Sequence, residues 1–181
     1  MKKRFFGTLG EISALTLGGA GIGQDWGPTT RDEAVATVRE AVDSGISFLD
    51  VAPGYGDGEA ELVVGEAFGG RLPEGVRVST KCHLGNPAPE DVLPSFERSI
   101  TDSLERLRLP RVDLFFLHNM VVPNDQIERY DGTPRGLFVD AVVPAFERLI
   151  ASGRIEAWGI SGLGVPSAVI ETFSDDRPPA A

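Results

Sequence analysis

Residues 47 to 55, Ser47-Phe48-Leu49-Asp50-Val51-Ala52-Pro53-Gly54-Tyr55, decide how the rest of this chain is read. Phe48, Leu49 and Val51 favour a pleated strand with little polar surface, so Asp50 is an acid at the end of a buried β-strand. A carboxylate in such a place needs a partner. Ala52, Pro53 and Gly54 then break the strand and leave Tyr55 on a tight loop close behind the acid. Strand and loop together place an acid and a phenol on one rim.

Working outward, the neighbouring segments repeat one pattern. Thr30 and Glu33 form a capping box, followed by Ala34, Val35, Val38, Ala41 and Val42 at helical spacing and Gly45 as a stop. On the far side of the loop, Glu59 to Phe68 reads as a second helix. Val76 to Thr80 reads as a strand ending in Lys81, Cys82 and His83. A helix follows with Leu93, Phe96, Ile100, Leu104 and Leu107 on one face, and Pro94 is expected to confine its regular part to the residues after it. Val112 to Leu117 is a nearly continuous apolar strand that ends in His118. Val122 to Gly136 has the composition of a loop, Phe138 to Ile150 is helical, and Ile155 to Ile160 is a strand ending in Ser161 and Gly162. Pro166 to Phe173 begins one more helix.

Upstream, Phe5 to Ile12 reads as a hairpin turning near Gly7 to Gly10, placed to plug the end of a barrel. Ala14 to Leu17 reads as a strand running into the glycine-rich stretch Gly18 to Gly23. That stretch suits close approach of a ligand to the backbone, but no fingerprint helix follows it as a dinucleotide-binding turn would require.

The 181 residues, 41% of them hydrophobic, are enough for one domain with a sizeable core, taken here as residues 1 to 181. A formal charge of −10 argues against non-specific binding to nucleic acid or acidic membrane, which needs a basic patch. No apolar run approaches a membrane span and the opening residues lack the apolar core of a signal peptide, so a cytoplasmic location is expected. The single cysteine, Cys82, excludes an intrachain disulfide framework and is expected to pack in the core.

Strand and helix alternate five times, with strands of the type that both faces cover, which is a parallel α/β pattern. Polar residues closing the strands of such folds collect on the carboxyl rim. Here that rim receives Asp50, Lys81, His118 and Ser161 from successive strands, with Tyr55 just beyond the first.

At these residues the chain resembles the aldo-keto reductases, whose TIM-type (β/α)8 barrel carries an Asp, Tyr, Lys and His tetrad. The resemblance rests on LDVAPGYG around Asp50 and Tyr55, VSTKC around Lys81, VDLFFLHN around His118 and WGISG around Ser161, in the family's order and at barrel-unit spacing. Ser161-Gly162 stands where the family has Ser-Asn. The resemblance implies an α/β barrel that is incomplete here, with about five β/α units and an N-terminal β-hairpin, and therefore open edges that invite self-association.

It also implies a hydride exchanged between NADPH, or NADH, and the carbonyl of a small-molecule aldehyde, ketone or sugar. A phenol of ordinary pKa, about 10, is a poor acid near neutral pH unless a cation stands beside it. Lys81 is placed to be that cation, Asp50 to hold Lys81, Tyr55 to give the proton, and His118 to orient the substrate oxygen. Gly19, Ala20, Asp50 and Ser161 are carried over as cofactor contacts.

Other readings of these residues exist. Asp50 alone could be a strand-end cap, Lys81 a surface amine and Tyr55 a loop anchor. A metal site of His118, His83 and Asp50 lacks the His-x-His spacing of barrel hydrolases and would have Lys81 repelling the ion, so no metal is expected. A non-catalytic or truncated relative, binding a nucleotide or a partner as a subunit, is the alternative to a reductase.

Overall fold

The computed structural model describes all residues 1–181. The chain starts with β1 (Lys3–Phe5) and β2 (Glu11–Ser13), an antiparallel hairpin whose turn contains a short 3-10 helix at Gly7–Leu9. It then alternates β3 (Leu17–Gly18), α1 (Arg31–Asp43), β4 (Phe48–Asp50), α2 (Glu59–Phe68), β5 (Arg77–Cys82), α3 (Pro89–Leu107) and β6 (Val112–Leu117). After an excursion containing β7 (Met120–Val122), β8 (Gly132–Pro134) and α4 (Arg135–Leu137) come α5 (Val143–Ala151), β9 (Ile155–Ile160) and α6 (Pro166–Phe173).

Strands β3, β4, β5, β6 and β9 form one parallel sheet in chain order. A sheet that adds each new strand on the same side, through right-handed crossovers, receives its helices on one face. The other face is then free to become an interior.

Strand period divides the side chains between those faces. Leu49, Val78, Phe115, Leu117 and Trp158 join the helices in an apolar cluster of 30 buried residues. The alternate residues Phe48, Leu114 and Ala157 meet Leu9 and Ile12 of the hairpin in a separate cluster of five. The hairpin thus plugs the N-terminal end of the interior, and Phe6 makes an edge contact with Phe48 at 5.7 Å between ring centroids.

Most of the elements expected from periodicity are present, and α1 begins with the Thr30–Glu33 capping box. Five local expectations are corrected. The strand expected at Ala14 to Leu17 is shorter and later, because Ala14 and Leu15 are exposed and only Leu17 and Gly18 pair with β4. Strand β5 continues through Lys81 and Cys82, which pair with Phe116 and Leu117. Helix α3 runs straight through Pro94: fully buried Val92 ties the preceding turn to the core, and Pro89 at the start is preorganised for a helix.

The segment expected to be a loop, Val122 to Gly136, contains the parallel pair β7 and β8, and Val121 also bridges Gly164. The helix expected over Phe138 to Ile150 is broken by a π-turn at Phe138–Val142. Pro144 explains the widening, since it has no N–H to give and its ring crowds the carbonyl four residues earlier.

The outer edge of β9 is not bare. Ala180 N–H donates to Trp158 O at 2.9 Å and Ile160 N–H donates to Ala181 O at 3.0 Å, so the tail covers part of the edge expected to stay unpaired.

Candidate active site

The same two-residue period that sorts the core also assembles the site. Asp50 shares a face with Phe48, Lys81 with Ser79, His118 with Leu114 and Phe116, and Ser161 with Ala157 and Gly159. The register aligns them: Asp50 pairs with Ser79, Lys81 with Phe116, and Phe116 with Gly159. Four adjacent strands therefore deliver their closing polar residues to one end of the interior. A cavity of about 470 Å³ there is lined by Asp50, Tyr55, Lys81, His118 and Ser161.

Lys81 is the centre of the group. It is 7% exposed, and its Nζ donates to Asp50 Oδ1 at 2.8 Å and to Val51 O at 2.9 Å. A buried ammonium with a carboxylate and a carbonyl as acceptors is compensated and held in one direction. Ser79 Oγ donates to the same Asp50 oxygen at 2.6 Å, fixing the carboxylate from the other side. Nζ lies 4.6 Å from the centroid of the Tyr55 ring.

Tyr55 sits on a turn closed by its N–H to Ala52 O at 3.1 Å, and its ring meets His118 edge-on at 6.0 Å between centroids. The glycine-rich stretch makes this placement feasible. A Cβ on Gly19 would lie 3.1 Å from the Tyr55 ring and one on Gly23 would lie 2.8 Å from its backbone. Gly19 is buried against the tyrosine loop and Ala20 is half-buried beside it. These glycines thus have a packing duty that the sequence alone did not suggest.

Burial is the main cause that lowers the His118 pKa, the positive charge of Lys81 adds to it, His83 adds a little more, and Asp50 opposes. The ring is therefore neutral at pH 7, able to donate from one nitrogen and accept at the other. Ser161 Oγ donates to Leu117 O at 3.0 Å, which leaves its lone pairs to face the cavity as acceptors.

Three residues of the surroundings were not singled out from the sequence. Ser79 was hidden as an ordinary strand serine. Asn119, 4% exposed, accepts from Leu84 N–H and, at 3.1 Å, from Gly85 N–H, so it shapes the loop after β5. Glu61 is fully buried on α2, accepting from Thr80 Oγ1 at 2.5 Å and Arg106 Nε at 2.6 Å. The proximity of Asn to His in the His118-Asn119 pair was the one available signal. Cys82 points to the opposite face, and burial pushes its thiol pKa up. No group of three His, Cys, Asp or Glu side chains is arranged to hold a metal ion, and no helix is long and apolar enough to cross a membrane.

The sequence pattern of the Aldo/keto reductase family matches residues 14–177, and the chain belongs to that family. It is 33% identical over 180 residues to L-galactose dehydrogenase of Arabidopsis thaliana, covering 97% of this chain and 52% of the relative. D-threo-aldose 1-dehydrogenase of a Pseudomonas species is 31% identical over 176 residues, covering 84% of this chain and 50% of that protein. An aldo/keto reductase of Klebsiella pneumoniae, solved in complex with NADP and acetate, superposes with a TM-score of 0.69 at 30% identity, over 92% of this chain and 52% of the other. The fold is thus α/β of the TIM-barrel type, and the chain spans about half the length of the relatives it matches.

Proposed function

We propose that this chain carries the proton-handling half of a nicotinamide-dependent carbonyl reductase acting on an aldehyde, ketone or sugar, with Tyr55 as the general acid. The observation that carries this reading is the buried Lys81 ammonium, held by Asp50 at 2.8 Å and standing 4.6 Å from the Tyr55 ring. A cation fixed so close to a phenol favours the phenolate that is left when the proton departs. Asp50 and the Val51 carbonyl hold the ammonium in place as the proton leaves, and Ser79 fixes Asp50. Neutral His118 donates to the substrate oxygen and directs it towards the phenol, a positioning role that removes rotational freedom from the encounter.

The residues fit a nicotinamide ring at the cavity. Ser161 presents acceptor lone pairs suited to a carboxamide N–H, and Asp50 borders the same cavity. NADPH, or NADH, would supply the hydride there. The two relatives named for sugar oxidation and the NADP complex of the Klebsiella enzyme support sugars as the substrate class and NADP(H) as the cofactor.

Two measurements test the reading. Titration with NADPH, followed by nucleotide fluorescence, should saturate. Tyr55→Phe should cut turnover by on the order of 10²-fold or more while nucleotide affinity stays nearly the same. Near-normal turnover in the variant would remove Tyr55 from the role. Saturable nucleotide binding without any turnover would favour the second reading, a nucleotide-binding subunit whose remaining site residues come from elsewhere, which the half-length coverage supports.

A further inference from the structure

Tyr55 rides on a segment whose two ends are fastened to consecutive residues of one strand. At the near end, just after β4 begins to turn, Asp50 Oδ1 and Val51 O accept from Lys81 Nζ at 2.8 and 2.9 Å. At the far end, in the first turn of α2, Glu61 Oε1 accepts from Thr80 Oγ1 at 2.5 Å. Thr80 and Lys81 are neighbours on β5 and project to opposite faces of the sheet, so the strand grips the tyrosine segment from the helix side as well as from the interior. The first attachment is part of the active site. The second lies outside it.

Glu61 and Thr80 are both fully buried. The second carboxylate oxygen, Oε2, accepts from Arg106 Nε at 2.6 Å, in the last turn of α3. The Arg106 stem in turn lies against Gly58, the residue before α2, where a Cβ would come within 2.7 Å of Cδ. One carboxylate thus joins α2, β5 and α3. Glu59, in the same turn of α2, pairs with Arg31 of α1 at a partly exposed position, so it braces α2 sideways and not against the lysine's strand.

Stability alone does not call for a charge at this position, because well-packed apolar groups in place of a buried ion pair are often neutral or stabilising. Apolar contact, however, has no direction. Two short bonds, one to each oxygen, fix α2 against β5 and α3 at one setting. The start of α2 holds the tyrosine turn in its own hydrogen bonds: Ala60 N–H donates to Tyr55 O at 3.2 Å and Glu59 N–H to Gly56 O at 3.1 Å. A slip of α2 along β5 would therefore carry Tyr55 with it while Lys81 stayed with the strand. The ring's own contacts, 4.6 Å from Lys81 Nζ to the centroid and edge-on to His118 at 6.0 Å, do not prevent such a slip. We propose that Glu61 is a positioning residue that sets the separation of Tyr55 from Lys81 and His118, acting through Thr80 on one side and the first turn of α2 on the other. The effect on turnover rests on the reductase reading above, and the effect on geometry does not.

Three variants of the whole chain test this. Thr80→Val removes the donor at nearly constant shape and leaves Glu61 paired with Arg106, Thr80→Ser keeps the donor, and Glu61→Gln keeps the length of the side chain without its charge. Geometry is read by NMR on chain with labelled tyrosine, the one other tyrosine, Tyr130, being assigned through Tyr130→Phe. In Thr80→Val and Glu61→Gln the cross-relaxation between the Tyr55 and His118 rings should weaken and the Tyr55 signals broaden, with Thr80→Ser like wild type. The kcat for butanal, per folded molecule, should fall by on the order of 10- to 10²-fold in Thr80→Val, the cost of a misplacement of about 1 Å, while the Kd for NADPH is unchanged and Thr80→Ser stays within about twofold. Rings that separate in Thr80→Val, in a chain whose wild type turns over no aldehyde, would uphold the positioning and overturn the reductase reading. Wild-type cross-relaxation in both variants would overturn the positioning, and normal turnover beside it would leave the reductase standing. A fall in turnover that Thr80→Ser shares, or that lost folded protein accounts for by urea denaturation, would make Glu61 a framework residue and overturn the proposal. Thr80→Val decides the matter even where Glu61→Gln does not fold.

Discussion

The two faces of the parallel sheet are both buried but are built for different ends. On the helix face, Phe96, Phe115, Phe146 and Trp158 form one aromatic nest, with Phe146 stacked on Trp158 at 4.9 Å and 7°. On the interior face the apolar cluster holds only five residues, and the space towards the strand ends goes to Asp50, Ser79, Lys81 and His118. Strand β5 shows the division within six residues, with Val78 and Cys82 in the helix-side core and Ser79 and Lys81 in the interior. Fold stability is thus concentrated on one face, and the other can hold an ion pair because the first carries most of the apolar burial.

The strongest way to break that contrast is Phe146→Ala. The ring is fully buried and touches Phe96 at 4.6 Å between centroids as well as Phe115 and Trp158. Its loss should cost roughly 3–5 kcal/mol of folding free energy, read by urea denaturation, because the neighbours cannot collapse into the space of a benzyl group. The interior residues should keep their mutual geometry in whatever fraction remains folded.

Lys81→Met probes the other face. The substitution keeps the volume of the stem and leaves Asp50 with only Ser79, but the Asp50 side chain is 31% exposed and can recruit water. The stability loss should therefore be about 1–3 kcal/mol rather than that of a fully buried pair. Turnover should fall by on the order of 10²-fold. A loss of stability as large as that of Phe146→Ala would show that the ion pair is part of the framework after all.

How much of this was visible beforehand follows from sequence distance. The strands around Asp50, Lys81 and His118 are short apolar runs closed by polar residues, a local signal, so the shared rim could be read from short motifs. The network around Glu61 could not, since its partners Thr80 and Arg106 lie 19 and 45 residues away and the helix pattern gives no sign that a glutamate points inward. Pro94 inside α3 misled for a related reason: the local penalty is real, but it is outweighed by the burial of Val92 and Phe96 on either side. The pairing of β7 with β8 and of the tail with β9 depends on non-local hydrogen bonds in segments with loop composition, which carry no periodic signal at all.

The smallest effect expected is also on the interior face, and it concerns His118. Burial, with Lys81 and His83 adding to it, lowers its pKa below the ordinary value, whereas in the unfolded chain the ring takes up its proton near pH 6.5. Between those two values the unfolded state binds the proton and the folded state does not, so folding stability falls as pH drops below about 6.5 and the loss is complete below the folded pKa. Above pH 6.5 the group contributes no slope. Urea denaturation at pH 7.5 and 5.5 should show a drop in wild type that is smaller in His118→Asn, other titrating groups being common to both. The imidazole resonance of His118, followed by NMR, should titrate below the ordinary histidine range, and in Lys81→Met its midpoint should move upward because one of the causes has been removed. An unchanged midpoint in that variant would mean that burial alone sets the charge state of His118, and that the interior face does not couple its lysine to its histidine.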